Sequence, residues 1–424
     1  MASRAVLADD MTGAGDSGIH FAQAGQRTAL LFDRAALTEA LASHYVAAVS
    51  SESRFLSPDR AAEAVRETAG QCRRAGARVV FKKVDSTLRG NPGAEIEAML
   101  AVGGHDAALV CVAMPKTGRT CRDGVLLVHG KPVNETEGAR DPFNPVTFSS
   151  VTDILSAQTA LPAGRIALDT VRAGGDALRA AVADMAASGK RILVADAETD
   201  GDLALLGQLL RDFEEADGRD AQPSLLPVGA GGLAEAYAGK KRIHSLPEPG
   251  GRMLAVIGSL TEVSLAQIRC AEESGGFHVL ELDMTAAFRD PGAEIARLAA
   301  EAAGAETRHL LLKNRSLPPA AGKGIDPSDG VRASRIFGDA ARTLCRAGGC
   351  STVYVTGGST AAAAAAAFGI RYLTLERECL PGVVLGSCSC AEGNPRRFIS
   401  KAGGFGGPDT LVKLAAGFAR QADK

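Results

Sequence analysis

The sequence predicts an α/β protein of two Rossmann-like three-layer domains with mainly parallel sheets, and three observations carry that prediction. Short β-branched runs alternate with Ala-rich stretches of helical character along the chain, the pattern of parallel strands joined by crossover helices. At 424 residues the chain has room for two or three cores at the usual ~150 residues per domain. Near its middle, Leu246-Pro247-Glu248-Pro249-Gly250-Gly251 opposes both helix and strand, which divides the chain into domains 1–246 and 252–424.

Taken in order, the first half should hold strands at 5–8, 28–32, 45–50, 79–83, 107–112, 165–168 and 191–196, with amphipathic helices at 59–75 and 174–187 among the connections. After the break the series restarts: strand 254–257, helix 264–274, strand 278–282, helix 293–304 and strand 309–313. A Pro/Gly-rich segment at 316–329 leads to a helix through Leu344, strand 353–356 and a helix built on 361–367. There is no tandem repeat and no low-complexity tail.

Composition narrows the function. Lys and Arg number 47 against 49 Asp and Glu, a net charge of −2, so there is no bulk positive field to hold a nucleic acid, and no such partner is expected. With 14 Phe, 4 Tyr and no Trp, few rings are available for stacking, and a ligand must be read by hydrogen bonds and charge. Asp9 and Asp10 interrupt the N-terminus before a signal-length apolar stretch forms. The longest plainly apolar run, 361–368, is far short of the ~20 residues that span a bilayer. A cytoplasmic protein with no membrane partner is expected. Nine cysteines without disulfide or zinc spacing read as reduced structural thiols. Cys388-Ser389-Cys390 is spelled like a redox or metal fragment, but no second pair completes it. Glycine is the outlier: 49 of 424 residues, against a usual share of about 7%. Such an excess points to tight turns at strand ends, where small anions are often held.

The first of these turns follows strand 5–8: Asp9-Asp10-Met11-Thr12-Gly13-Ala14-Gly15-Asp16-Ser17-Gly18. Gly13, Gly15 and Gly18 have the G-x-G-x-x-G spacing of a dinucleotide-binding turn, with Asp33 about 20 residues on to meet a ribose. Against it, Asp9, Asp10 and Asp16 would surround a pyrophosphate with carboxylates. Gly13-Ala14-Gly15-Asp16 is also similar to the anion-hole motif of ribokinase-type sugar kinases, although that motif normally lies late in its chain. A third reading takes the paired acids as hydroxyl acceptors or metal-facing groups, and a fourth as a solvated helix cap.

A second cluster, Lys82-Lys83-Val84-Asp85-Ser86-Thr87-Leu88-Arg89-Gly90-Asn91, closes another strand. Successive strand residues face opposite ways, so the two lysines are expected to end the strand and converge on a ligand from there. Lys82, Lys83 and Arg89 supply positive charge, Asp85 and Ser86 supply hydroxyl-binding groups, and Arg54 after the third strand can join them. That mixture suits a small polyhydroxy acid, since a carboxylate asks for Lys or Arg and each hydroxyl for an acceptor. The alternative is a surface ion-pair patch.

In the second half three turns have phosphate-binding form. They are Gly258-Ser259 after strand 254–257, Gly357-Gly358-Ser359-Thr360 after strand 353–356, and Lys401-Ala402-Gly403-Gly404-Phe405-Gly406-Gly407 before a helix starting near Asp409. Each can aim helix N-terminal N–H groups at a phosphate. Together they imply a nucleotide facing a second substrate across a cleft, with the active site between the two domains. No G-x-x-x-x-G-K-[ST] occurs, which excludes a P-loop. Glycine for close packing alone is the competing reading of each turn.

With these residues assembled, the chain resembles the four-carbon acid sugar kinase family over nearly its whole length. Asp9-Asp10-Met11-Thr12-Gly13-Ala14 is similar to that family's D-D-L-T-G-A opening, and 81–91 to its K-x-D-S-T-L-R-G-N signature. Pro115, Gly118-Arg119-Thr120 and Glu135-Thr136 fit its middle motif, and the three glycine turns fall at its nucleotide-binding segments. The resemblance implies ATP- and Mg²⁺-dependent phosphorylation of the terminal, 4-hydroxyl of a tetronate or 3-oxo-tetronate such as threonate or erythronate. The first domain would bind the acid sugar and the second the nucleotide. By position, Asp10, Arg54, Lys82 and Asp85 would contact the sugar, while Ser259, Gly357, Gly358, Ser359, Thr360 and Gly403 would contact ATP. Lys83, Ser86 and Arg89 belong to the same substrate cluster. The sequence departs from the family at Gly15-Asp16-Ser17, at Lys116 and at 385–390, and the first two departures lie on the substrate side.

The chemistry expected is in-line phosphoryl transfer, with Asp85 or Asp10 orienting and deprotonating the acceptor hydroxyl, Mg²⁺ and helix N-termini neutralising the phosphate, and Lys83 or Arg89 assisting. No metal-ligand set is assigned, and a homodimer is compatible with all of this. The rivals are a nicotinamide-dependent dehydrogenase using Gly13, Gly15, Gly18 and Asp33, a ribokinase-like kinase of neutral sugars, and a non-catalytic nucleotide or acid sensor.

Overall fold

The computed structural model describes residues 3–141, 144–216, 223–239, 251–259, 261–315, 327–388 and 395–419. Residues 246–250 of the Pro/Gly break, 316–326 of the later Pro/Gly segment, and Ser389 and Cys390 lie outside the described residues. The chain forms two compact units, Met1–Ala29 with Leu37–Arg242, and Leu30–Ala36 with Ile243–Lys424.

In the first unit seven strands pair in parallel, in the order Val46–Ser50, Ser3–Ala8, Ala77–Lys83, Leu225–Gly229, Ala107–Cys111, Ile192–Ala195 and Ala163–Ile166. Successive residues of these strands are buried, as in Val46–Ser50 and Ala107–Cys111, where every position is. Burial without alternation means that both faces of the sheet are covered. The covering helices are amphipathic: Pro58–Arg74 starts with a proline in its first turn, buries Ala61, Ala62, Val65, Thr68, Ala69 and Cys72 at three- and four-residue intervals, and ends on Arg73 and Arg74 at its negative pole. Tyr237 stacks on Phe81 and meets Phe21 edge-on, tying a late helix to the strand that carries the lysine pair. The register aligns Ala8 with Ser50 and Lys83, and Lys83 with Gly229. The segments at Asp9, Ser51, Val84 and Ala230 therefore leave the sheet side by side.

The second unit repeats the arrangement with five parallel strands in the order Phe277–Leu282, His309–Asn314, Met253–Ile257, Thr352–Thr356 and Arg397–Lys401. An antiparallel pair, Val383–Ser387 and Tyr372–Leu380, extends it. Ile257 is in register with Lys313 and Thr356, and Thr356 with Lys401, so the three glycine turns also leave one row of strand ends. Residues 30–36 belong to this unit. The Phe32 and Asp33 N–H groups donate to the Arg371 carbonyl at 2.9 and 3.0 Å, and the Phe32 ring lies 5.6 Å from Phe398.

The expected strands are present, with shifts of one or two residues at their ends. The expected strand 165–168 starts earlier, at Ala163–Ile166, because Leu168 opens a helix. Three features were not expected. The strand Leu225–Gly229 carries Pro227 in mid-strand, a residue that argues against such an element. The hairpin 372–387 carries Glu376, Arg377 and Glu378 on half-buried positions, which dilutes its apolar signal. A small antiparallel sheet also forms over Arg119–Arg122, Val125–Val128 and Lys131–Pro132. Among the described residues no helix is long and apolar enough to cross a membrane.

Candidate functional site

In the first unit the strand ends bring together a network of buried charges. Asp10 caps the helix Met11–Gln23: its Oδ1 accepts the Gly13 N–H at 2.6 Å and its Oδ2 accepts the Thr12 hydroxyl at 2.7 Å. A Cβ at position 13 would lie 2.8 Å from that Oδ1, so the glycine makes room for the cap. Arg54 is the hub. Its Nε and one terminal nitrogen donate to both oxygens of Asp9 at 2.8 and 3.0 Å, the other meets Asp10 Oδ2 at 2.6 Å, and Asp85 stands 3.8 Å away. Asp85 is clamped in turn by Arg89 at 2.9 and 3.0 Å and accepts the Thr87 hydroxyl. Gly90, at a φ of 87°, passes so close to Arg54 that a Cβ there would lie 3.0 Å from the Arg54 carbonyl. Two non-glycine residues with left-handed backbone, Glu52 and Leu88 at φ of 50° and 60°, flank the same loops, as strained residues at functional sites often do.

These contacts set the charge states. Burial alone would raise the Asp85 carboxyl, but Arg89 and Arg54 override it and hold it well below the usual carboxylate range. Burial opposes the charge of Asp9 in the same way, and Arg54, Lys82 and Lys83 keep it ionised. Burial also works against the Arg54 guanidinium, and Asp9, Asp10 and Asp85 more than offset it. Arg89, its side chain 34% exposed, is the most open cation of the group and also pairs with Asp141 at 3.1 Å.

The two lysines do not converge. They are the last two residues of one strand and point to opposite faces, so one serves the interior and the other the site. Lys82 is fully buried, 2.6 Å from Glu95 on the helix Pro92–Gly103, and its ammonium donates to the Lys83 carbonyl. Glu95 also accepts the Ser53 hydroxyl at 2.7 Å, and the Ser53 and Arg54 N–H groups donate to the Asp9 carbonyl. The pair thus braces the loop that carries Arg54. Lys83 faces the helix Met11–Gln23, with Asp16 at 3.6 Å. Ser86 is buried in the loop beside Asp85. Lys116 reaches away to Glu235 at 2.8 Å.

In the second unit the expected residues also meet. Gly357, at a φ of 97°, starts the helix Gly358–Phe368, whose first N–H groups have no side-chain cap, and donates its own N–H to the Lys401 carbonyl at 2.9 Å. A Cβ on Gly258 would lie 2.6 Å from Thr360 Oγ1, and one on Gly403 would lie 2.5 Å from Ser259 Oγ. All three turns are therefore in van der Waals contact, with Ser259, Gly357, Gly358, Ser359, Thr360 and Gly403 in one patch. The loop after Gly403 is held by side chains: Thr261 and Ser264 donate to the Gly403 carbonyl at 3.0 and 3.2 Å, and Gln267 to those of Phe405 and Gly407 at 3.1 and 3.0 Å.

Residue reading missed Asp9 as the principal partner of Arg54, Glu95 and Ser53 behind it, and Thr261, Ser264, Gln267 and Lys401 in the second unit. Asp9 and Lys401 lay inside quoted motifs, whereas the rest carry no local signal. Arg119, half-buried within the field of Asp85 and Arg89, sits in the middle motif and was likewise not assigned.

The dinucleotide reading does not survive. Gly13, Gly15 and Gly18 lie inside the first helix, and the Asp10 cap already occupies the N–H of Gly13 that a pyrophosphate would need. Asp33 packs in the second unit with Arg371 Nε 2.9 Å from its carboxylate.

Comparison with known proteins places both halves of the chain in known domain families. The family model of a sugar-binding N-terminal domain matches residues 4–237, and that of a nucleotide-binding C-terminal domain matches residues 254–411. A D-threonate kinase of Salmonella typhimurium is 32% identical over 422 residues, with 96% of each chain covered. A D-threonate kinase of Bordetella bronchiseptica is 34% identical over 97% of this chain and 96% of the relative, and a 3-oxo-tetronate kinase of Methylobacterium radiotolerans is 32% identical over 95% and 96%. Solved structures from Salmonella typhimurium and Haemophilus influenzae, each 22% identical, share the fold with TM-scores of 0.79 and 0.71, covering 100% and 98% of this chain and 100% of each of theirs. Both halves of the chain are accounted for by one pairing of domains, and the protein belongs to the four-carbon acid sugar kinase family.

Proposed function

We propose that this protein transfers the γ-phosphoryl group of ATP to the 4-hydroxyl of a four-carbon acid sugar in the cytoplasm, with D-threonate the preferred acceptor. The observation that carries the reading is the charge network at the strand ends of the first unit, where carboxylates alternate with Arg54, Arg89 and Lys83. A compact polyhydroxy acid exchanges with such a network group for group: its carboxylate takes a cation and its hydroxyls take carboxylate oxygens. Arg89 is the most open cation and the best placed for the carboxylate, while Asp10 and Asp85 are the acceptors for hydroxyls. The two full-length D-threonate kinases at 32% and 34% identity support the choice of acid.

In this reading Asp85 is a weak base, because Arg89 and Arg54 hold its carboxyl well below the usual range. Its work is to fix the acceptor oxygen and the two guanidiniums in line for transfer, and phosphoryl transfer depends mostly on such positioning. Lys82 braces the site from the interior and does not touch substrate. In the second unit the glycine turns hold the triphosphate by backbone N–H groups, with the Ser259 and Ser359 hydroxyls as further donors. Mg²⁺ carried on the ATP phosphates would neutralise charge on the transferring group. Among the described residues no group of three or more His, Cys, Asp and Glu is placed to hold an ion by itself.

The test is a coupled ADP-release assay over D-threonate, D-erythronate, their 3-oxo forms and neutral sugars, with the product located by phosphorus NMR. D-threonate should give the highest kcat/KM and a 4-phosphate. A higher value for another tetronate would replace the acid while keeping the class. Activity on neutral hexoses alone, or ATP-independent turnover with a nicotinamide, would overturn the class.

A further inference from the structure

A lysine beside a glycine loop can place its ammonium on a phosphate, as the P-loop lysine does. Lys401 does not. Its side chain is 1% exposed, and its three ammonium protons have three carbonyl acceptors in the loop that follows: Ala402 at 2.8 Å, Gly403 at 3.2 Å and Phe405 at 2.9 Å. A trans peptide unit is planar, with its C=O and N–H pointing in opposite directions, and there is no cis bond among the described residues. Drawing those three carbonyls inward therefore turns the N–H groups of Gly403, Gly404 and Gly406 away from Nζ. All three carbonyls are gripped a second time, Ala402 by the Phe405 N–H at 3.2 Å, Gly403 by Thr261 and Ser264, and Phe405 by Gln267. Successive outward N–H groups form a concave anion cradle.

We infer that Lys401 is a positioning residue whose buried ammonium pins the 402–405 carbonyls so that the N–H groups of Gly403, Gly404 and Gly406 face the nucleotide phosphates. The inference rests on the nucleotide reading of this turn. It implies that Lys401 contributes to ATP affinity without touching the transferring group. Its strand neighbours in register are Thr356 and Val383, and Gln267 shares the Phe405 carbonyl, so no carboxylate faces it among the described residues. Burial therefore acts unopposed and pushes the ammonium down to about 8. A neutral amine has only two protons for three carbonyls, so the pin should loosen as pH rises through that value.

The experiment compares the full-length protein with Lys401→Met. Calorimetric ATP affinity and ATP KM should worsen about tenfold, near the worth of one charge-assisted hydrogen bond. The acid-sugar KM should stay within about twofold and kcat at saturating ATP within about threefold. Hydrogen exchange across 402–407 should quicken in the variant. In the unsubstituted protein the ATP KM should rise between about pH 7 and about pH 9, which tests the pin even where the variant folds poorly. A variant that binds ATP normally and loses kcat would overturn the inference, because the lysine would then act on the transferring phosphate. A flat pH profile, or unchanged exchange and affinity, would overturn it too. If the unsubstituted protein bound no nucleotide, the donor reading would fail. Quickened exchange in the variant would still support the pin, and unchanged exchange would refute it.

Discussion

The two units end their parallel strands in similar rows and use those rows in opposite ways. In the first, the row is lined by side-chain charge: Asp9, Asp10, Asp85, Arg54 and Arg89 pair with one another, and two glycines make room for charged neighbours, Gly13 for Asp10 and Gly90 for Arg54. In the second, the row is built from backbone: Gly258, Gly403 and Gly406 make room for Thr360, Ser259 and Thr410, and the ammonium of buried Lys401 is spent on carbonyls. A charged network can rearrange around a small acid of particular stereochemistry. A backbone cradle suits a ligand whose phosphates never change. On the proposed function, substrate choice would lie in the first unit and the second would be indifferent to it.

The comparison breaks most easily at Asp85. Asp85→Asn removes the carboxylate that holds Arg89 and neighbours Arg54, leaving the buried Arg54 and the half-buried Arg89 short of one counter-charge. Steady-state ADP release should show kcat/KM for the acid sugar falling by about 10²-fold or more, the scale of losing in-line positioning. ATP affinity should be unchanged. Near-normal turnover would remove Asp85 from the chemistry. Gly403→Ala probes the other side. The new methyl would stand 2.5 Å from Ser259 Oγ and 3.3 Å from its Cβ, so the hydroxyl must rotate out of place and the two turns must give slightly, and ATP KM should rise about tenfold, equivalent to ~1.4 kcal/mol. The acid-sugar KM should move by less than about twofold. Equal damage to both constants would show that the units do not divide the labour.

Much of this was readable in the sequence, for a physical reason. Charges that must meet at a strand end are close in the chain, so Asp10 with Gly13, and Asp85 with Arg89, announce themselves as short motifs. The glycine needed for left-handed backbone at 357 and the one needed for close approach at 403 do the same. Partners that meet only through the fold leave no such trace. Glu95 looks like an ordinary helical acid until Lys82 is found beneath it, and Gln267 like surface polarity until it reaches Phe405. Strand alternation puts the two lysines on opposite faces, but which face is interior depends on helices distant in sequence. Pro227 hid a central strand because a proline there loses a ladder donor, and the flanking pairs through Val228 and Gly229 carry the pairing instead.

Acid should separate the units by a smaller effect. His309 is buried in the second unit with its Nδ1 accepting the Met253 N–H at 3.2 Å, so that nitrogen must be unprotonated in the fold. Burial, with Arg308 and Arg252, pushes the imidazole down to about 4 from its usual 6.5. The unfolded chain therefore takes up this proton first, and stability present above about pH 6.5 is lost progressively down to about pH 4. In the first unit Asp9 and Asp85 are held low and lose their contribution only below the ordinary aspartate range near pH 3.8. His44 is also lowered by burial there, giving a shallower loss in the same window, while Glu95, raised by burial, works in the opposite direction. Calorimetric melts followed between about pH 7 and about pH 4, with hydrogen exchange assigning each transition, should show the second unit giving way first. His309→Asn keeps an acceptor and takes up no proton, so it should flatten that slope. A slope that persists in the variant, or a first unit that yields earlier, would assign the acid sensitivity to the charge network instead.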